Sequence, residues 1–161
     1  MPRTRRRRGS KGTRRQSRRL KGGQQPFLEV RFPDGTKASP APGPLMKKEA
    51  ASPQPSVSWR APAKIYTLIC IDPDAPATPW LHWLVTNCKG ASPSTGTTVT
   101  PWAPPTPPPG TGTHRYQFKL LEQVRAIQIP PPASRASFPF QAFLKSNALK
   151  EVASTEIRVT A

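Results

Sequence analysis

Cysteine and histidine are scarce in this chain of 161 residues, with two of each. Two cysteines cannot form a framework of several disulfides, and Cys70 and Cys88 do not have the spacing of a structural zinc site. Cys70 and Cys88 lie in apolar segments, where we expect buried free thiols. No apolar run approaches the roughly 18–20 residues of a membrane-spanning helix. The sequence predicts no metal, no cofactor and no transmembrane segment.

Acidic residues are missing from the first 25 positions, which hold eleven of the 25 lysines and arginines. Residues 26–161 hold the other 14 bases and all 8 acids, so this part has a net charge of +6. Like charges repel, and the first 25 residues have almost nothing apolar to bury. We therefore predict a disordered arm over residues 1–25, followed by one domain over residues 26–161.

A dense run of arginines without acids is typical of segments that bind polyanions, because phosphates exchange their counterions for basic side chains. We predict nucleic acid or another polyanion as the partner of the arm. No apolar stretch follows the arginines, so the N-terminus does not resemble a secretory signal. We accordingly expect a location in the cytoplasm, in the nucleus or in a virus particle. The predicted contacts are Arg5, Arg6, Arg7, Arg8, Lys11, Arg14, Arg15, Arg18, Arg19 and Lys21.

The domain is predicted to be mostly β, of the α+β class, with long irregular connections. Proline is over-used, at 23 residues, and the segments 36–56 and 89–113 are typical of loops. Apolar runs and alternating patterns predict strands, and one segment near the C-terminus predicts a short helix. The strands are expected at 27–32, 57–59, 65–71, 80–86, 113–121 and 156–159, and the helix at 140–149.

The residues that carry chemistry lie at the ends of these strands. Residues 72–76, Asp-Pro-Asp-Ala-Pro, form a stiff turn after a buried strand. Trp80 and His82 share one face of the next strand, as His114 and Tyr116 do on a third. A strand histidine is more often a structural group than a ligand contact. If the strands are adjacent, however, histidines held by carboxylates can donate to phosphate or carboxylate ligands.

Three stretches resemble the signature regions of the phosphatidylethanolamine-binding protein family, and the resemblance extends over about residues 27–161. They are Tyr66-Thr67-Leu68-x-x-x-Asp72-Pro73-Asp74-Ala75-Pro76, Trp80-x-His82-x-Leu84-Val85-x-Asn87 and Pro107-Pro108-x-Gly110-Thr111-Gly112-x-His114-Arg115-Tyr116. The resemblance implies a central antiparallel-rich sheet flanked by a smaller sheet and one or two short helices. It also implies a pocket for phosphate, an acetate-like anion or a phospholipid head group, lined by Asp72, Asp74, Pro76, Trp80, His82, Pro107, Pro108, His114 and Tyr116.

The sequence also departs from the family pattern around this pocket. The stretch between Pro76 and Trp80 is shorter than usual and lacks a tyrosine that commonly helps to bind the anion. Thr106 and prolines 104 and 105 stand where the family has glycines, whose backbone amides approach the anion. We also expect no C-terminal helix over the pocket mouth. These departures predict a weakened anion site.

The sequence therefore predicts a non-enzymatic binding and regulatory protein with an anion pocket and a polyanion-binding arm. Catalysis is disfavoured because no nucleophile sits beside a base in a recognisable arrangement. The alternative is a structural or assembly protein, for example in a virus particle or nucleoprotein, that uses a degenerate domain of this family as a scaffold. Protease inhibition, known for some relatives, is not favoured because no inhibitory loop is recognisable.

Overall fold

The computed structural model describes residues 25–161, so the predicted disordered arm lies outside the described residues except for its last position. The described chain forms two β-sheets, two short helices and a 3₁₀ turn at Pro93–Thr95. No helix in this part is long and apolar enough to cross a membrane. The strands are β1 Phe27–Arg31, β2 Leu45–Met46, β3 Ser56–Arg60, β4 Ile65–Asp72, β5 Trp80–Cys88, β6 Thr97–Thr100, β7 Thr113–Gln123 and β8 Lys150–Thr160, and the helices are α1 Lys48–Ala51 and α2 Phe140–Ser146.

The larger sheet has six strands in the order β2-β8-β7-β4-β5-β6. All neighbouring pairs are antiparallel except β2 and β8, which are parallel. Strand β4 lies near the centre and is buried on both faces, as its nearly continuous apolar sequence predicts. Its neighbours β5 and β7 carry the two histidines. Strands β4, β5 and β7 are therefore adjacent, as a common site for their polar residues requires.

Each face of the large sheet is covered by a different structure. The two-stranded sheet of β1 and β3 covers one face, where Val30 and Trp59 pack with Phe118. On the other face, Ile69 and Leu121 pack against α2 and the chain before it, including Phe143. This arrangement confirms the predicted class, a mostly β domain with a large sheet, a smaller sheet and short helices.

The short edge elements were not predicted. The segment 36–56 contains β2 and α1, and the segment 89–113 contains β6, although both were expected to be loops. Strand β2 has two residues and β6 is mostly threonine, so neither has a hydrophobic pattern of its own. Each is defined by its pairing with β8 or β5. Helix α2 is three residues shorter than expected, because Ala148 adopts a φ of 50° beyond its end.

The double-sided burial of β4 predicts that its side chains dominate stability. Leu68 is fully buried and Leu45 is 61% exposed. We expect Leu68→Ala to lower the free energy of unfolding by about 3 kcal/mol, because it leaves a cavity in a packed core. The matched Leu45→Ala variant should change it by no more than about 0.5 kcal/mol. Urea titrations measure both, and equal effects would contradict this account of the core.

Candidate anion-binding site

A cavity of about 320 Å³ opens beyond the end of β4, between β5 and β7. Its floor carries the polar groups that the sequence singled out, and its remaining walls are mostly alanine and proline. Because it lies where three strands end in irregular chain, the strands fix the floor and the loops shape the rim. The lining residues are Asp72, Ala75, Pro76, Ala77, Trp80, His82, Thr106, Pro108, His114, Tyr116 and Ala136.

The two carboxylates of the turn after β4 contact two successive residues of β7. Asp72 accepts a hydrogen bond from the backbone N–H of Asp74 at 2.8 Å, a local bond that shapes the turn. The second oxygen of Asp72 lies 2.7 Å from Nδ1 of His114. Asp74 instead accepts bonds from the backbone N–H, Nε and Nη2 of Arg115 at 2.8–2.9 Å. The Arg115 bonds hold the pKa of Asp74 below its usual value.

Both ring nitrogens of His114 are occupied by protein partners. Its Nε2 lies 2.8 Å from Oγ1 of Thr111, and that hydroxyl donates to the carbonyl of Pro108 at 2.6 Å. A hydroxyl has one proton, so the histidine must supply the proton between Nε2 and Oγ1. His114 thus joins Asp72 on one side to Thr111 on the other. His114 organises the cavity wall and has no free donor for a ligand.

Two glycines hold Thr111 in place for this bond. Gly110 and Gly112 have φ values of 80° and 77°, in the left-handed region that glycine adopts without strain. Between them, the backbone N–H of Thr111 also donates to Pro108. The rim segment before these glycines offers an anion few hydrogen-bond donors, because the prolines among residues 104–109 have no backbone N–H. Only Thr106 keeps a backbone donor in that stretch.

His82 has the opposite character to His114. Its Nδ1 lies 2.7 Å from the carbonyl oxygen of Ala103, so that nitrogen carries the proton. Burial lowers the pKa of His82 to about 4, although the Ala103 carbonyl and the Asp72 carboxylate oppose this shift. At neutral pH the ring is therefore uncharged, and its Nε2 is an acceptor. His82 becomes a donor to an anion only when it takes up a proton.

Tyr116 and Trp80 are two further aromatic residues that line the cavity. Burial raises the pKa of Tyr116, as does the neighbouring Asp72 charge, so the phenol stays protonated. Its hydroxyl has no hydrogen-bond partner among the described residues. The guanidinium of Arg135 lies 5.5 Å from the centre of the Trp80 ring and donates to the carbonyls of Leu81 and His82. Arg135 thus braces β5 and stacks on one wall of the site.

Seven of the nine predicted pocket residues line this cavity. Asp74 and Pro107 do not, because Asp74 turns to Arg115 and Pro107 is buried behind the rim. Sequence reasoning missed Ala75, which belongs to the turn already singled out, and Ala77, which follows that turn. It also missed Thr106, Arg135 and Ala136. The last two come from a loop after β7 that has no motif, so no sequence signal placed them here.

The described residues contain no group of three or more metal-ligating side chains. Cys70 and Cys88 are buried free thiols. Burial raises the pKa of Cys70 well above its ordinary value and that of Cys88 to about 11. Neither sulfur lines the cavity, so neither offers a thiolate to it.

The sequence matches the family model described as phosphatidylethanolamine-binding protein over residues 36–157. The chain belongs to the phosphatidylethanolamine-binding protein family. Solved structures agree in fold. The carboxypeptidase Y inhibitor in complex with its cognate proteinase aligns with a TM-score of 0.72 at 19% identity, covering 84% of this chain and 83% of that one. The family member from Plasmodium vivax aligns with a TM-score of 0.67 at 20% identity, covering 83% and 84%.

A curated relative corrects one prediction. The 26 kDa secreted antigen of Toxocara canis is 43% identical over 84 residues, covering 48% of this chain and 32% of that protein. The match thus spans about a third of the length of that relative. The predicted location in the cytoplasm, the nucleus or a virus particle is wrong on this finding, because a relative in this family is a secreted protein.

Breaking the Asp72–His114 contact should lower the free energy of unfolding more than breaking the Asp74–Arg115 contact. His114→Phe leaves the Asp72 carboxylate buried without its partner, so we expect the free energy of unfolding to fall by about 3 kcal/mol or more. Arg115→Gln breaks a pair in which Arg115 is 48% exposed, and should cost about 1 kcal/mol or less. Urea unfolding of both variants measures the difference. Similar costs would show that the Asp72–His114 contact does not organise the turn.

Proposed function

We propose that this protein is a non-enzymatic binding protein whose cavity takes a small anion, a phosphate or a phospholipid head group. The observation that carries the proposal is the free hydroxyl of Tyr116 in a preformed cavity beside His82. An uncommitted donor in an enclosed site is what a ligand oxygen needs. The size of the cavity, about 320 Å³, fits a head group rather than a whole lipid.

The polar groups support one mode of binding. Tyr116 donates to a ligand oxygen, and Trp80 adds an aromatic wall. His82 contributes an acceptor at neutral pH and becomes a second donor only when it is protonated. Asp72 does not compete for the ligand as a free charge, because both of its oxygens already accept hydrogen bonds. The Pro-rich rim offers few backbone donors, which favours weak rather than tight binding.

The same geometry supports binding rather than catalysis. A nucleophile needs a base within hydrogen-bond reach, and His114 has both nitrogens engaged. Because the pKa values of Tyr116 and Cys70 are raised, neither side chain is deprotonated to a phenolate or a thiolate at neutral pH. His82 is the remaining base, and no described hydroxyl or thiol is hydrogen-bonded to it.

The arm over residues 1–25 is proposed to bind a polyanion, and residues 26–161 to fold without it. The eleven bases of the arm have no acid among them, whereas residues 26–161 have a net charge of +6. Phosphate contacts of flexible basic side chains position a protein without reading sequence. We therefore propose binding that depends on charge and not on base order.

The first test concerns the cavity, with glycerophosphorylethanolamine as the probe, because the charge of its phosphodiester is constant between pH 4 and 7. An anion favours the protonated form of His82 and raises its pKa in the complex above about 4. Affinity should therefore rise as the pH falls from 7 towards 4 and level off below that. Tyr116→Phe should weaken binding by about two- to tenfold, the value of one hydrogen bond.

The indole N–H signal of Trp80 in an NMR titration reports this cavity directly. Tyr66→Phe is the matched control, because Tyr66 is a buried tyrosine at the other end of β4. It should leave the Trp80 response unchanged. If Tyr116→Phe and wild type respond alike, or if the affinity does not change with pH, the cavity does not bind anions in the proposed way.

The second test concerns the arm. Anisotropy titrations with random-sequence duplex DNA should show affinity falling steeply with salt, with a logarithmic slope of about −0.9 for each phosphate contacted. Deleting residues 1–23 should abolish this binding and leave the unfolding transition unchanged. Retained affinity in the truncated protein would place the polyanion site on the domain instead.

A further inference from the structure

A second cavity, of about 360 Å³, lies at the opposite end of β4 from the first. Tyr66, near the start of the strand, lines it, whereas Asp72, six residues later, lines the first. Six residues of strand span about 20 Å. Apart from Tyr66, the residues around the second cavity belong to no motif noted in the sequence. The two sites have no lining residue in common.

Three cations surround this second cavity. Arg60 ends β3, Lys64 lies just before β4, and Lys89 follows β5, so three separate segments bring positive charge to one place. All three side chains are exposed, and none forms an ion pair with an acid of the described chain. No acidic residue lines the cavity. Basic side chains collected around one cavity attract a single anion from several sides.

The base of the cavity contains two aromatic residues with unsatisfied polar atoms. Trp59 and Tyr66 meet edge to face, with ring centres 6.0 Å apart, and are 6% and 3% exposed. Neither Nε1 of Trp59 nor the hydroxyl of Tyr66 has a hydrogen-bond partner within residues 25–161. The backbone of Ala63 lies close enough to the Tyr66 oxygen to lower the pKa of the phenol, but it gives the hydroxyl proton no acceptor among the described residues. Two buried donors at one place are costly unless an acceptor reaches them.

Glu122 is an acid whose charge acts on Tyr66. It lies opposite Tyr66 in the pairing of β4 with β7. Burial raises the pKa of Tyr66, and the Glu122 charge adds to that shift. Tyr66 therefore stays a protonated donor at neutral pH. The Glu122 charge opposes an incoming anion from behind Tyr66, while the three cations face the ligand from the rim.

We propose that this second cavity binds a tetrahedral oxyanion, the phosphate or sulfate group of a small ligand. Arg60, Lys64 and Lys89 attract the anion, and Trp59 and Tyr66 donate hydrogen bonds to it. Neither buried donor is open to solvent, so binding requires a small shift of the connection between β3 and β4, which ends at Lys64. The second site works independently of the first cavity.

The test is an NMR titration of the full chain with inorganic phosphate, and separately with inorganic sulfate, at constant ionic strength. The indole N–H of Trp59 reports the second site and that of Trp80 reports the first. Saturable movement of the Trp59 signal is expected with either anion. The anion with the lower midpoint indicates whether a phosphate or a sulfate ester is the better ligand.

Charge variants locate the binding. Arg60→Gln/Lys64→Gln/Lys89→Gln should raise the Trp59 midpoint by about tenfold or more, because three contacts to the anion are lost. The control Lys47→Gln/Lys48→Gln/Lys145→Gln removes the same charge from exposed positions elsewhere and should leave the midpoint nearly unchanged. Glu122→Gln should lower the midpoint by about two- to threefold.

The Trp80 response should be the same in all of these variants, so failure of one site is distinguished from failure of the other. A Trp59 signal that does not move would overturn the proposal. So would a Trp59 midpoint that changes equally in the two triple variants, since that result would show only the effect of net charge.

Discussion

Asp72 and His114 face each other at 2.7 Å, and their side chains are only 4% and 1% exposed. Burying an ionisable pair away from water is costly unless the geometry is good and the other polar atoms are satisfied. Here they are, because the backbone N–H of Asp74 donates to Asp72 and the second ring nitrogen of His114 is bonded to the Thr111 hydroxyl. This pair therefore requires the turn after β4 and the loop before β7 to take one arrangement, and the cavity lies between them.

The requirement also restricts what the cavity can bind. A histidine whose two ring nitrogens both complete a buried network cannot also donate to a ligand, so His114 offers no hydrogen bond to an anion. His82, whose pKa is about 4, brings no charge at neutral pH. In the proposed binding mode, the affinity for an anion then depends mainly on Tyr116 and on proton uptake by His82. The Pro-rich rim, which has few backbone N–H donors, further limits the affinity of the proposed site for an anion.

The sequence predicted those features whose cause is local. Strand β4 follows from its apolar run, and the buried face of β7 follows from strict alternation through Tyr116 and Phe118. Asp74 was predicted to line the pocket because the resemblance to the family implied it. Its orientation depends on Arg115, 41 positions away, and no pattern in the turn reveals that choice. Arg135 likewise reaches the site through a loop without periodicity.

A strand that is buried on both faces has no room for chemistry along its length, because any polar group there would need a buried partner. Polar function is then confined to its two ends, where pairing stops and irregular chain begins. One end of β4 has a carboxylate turn whose charge is neutralised within the protein. The other end has unsatisfied donors under three cations. Its electrostatics therefore favour an anion at neutral pH more directly than those of the first cavity, which must first take up a proton.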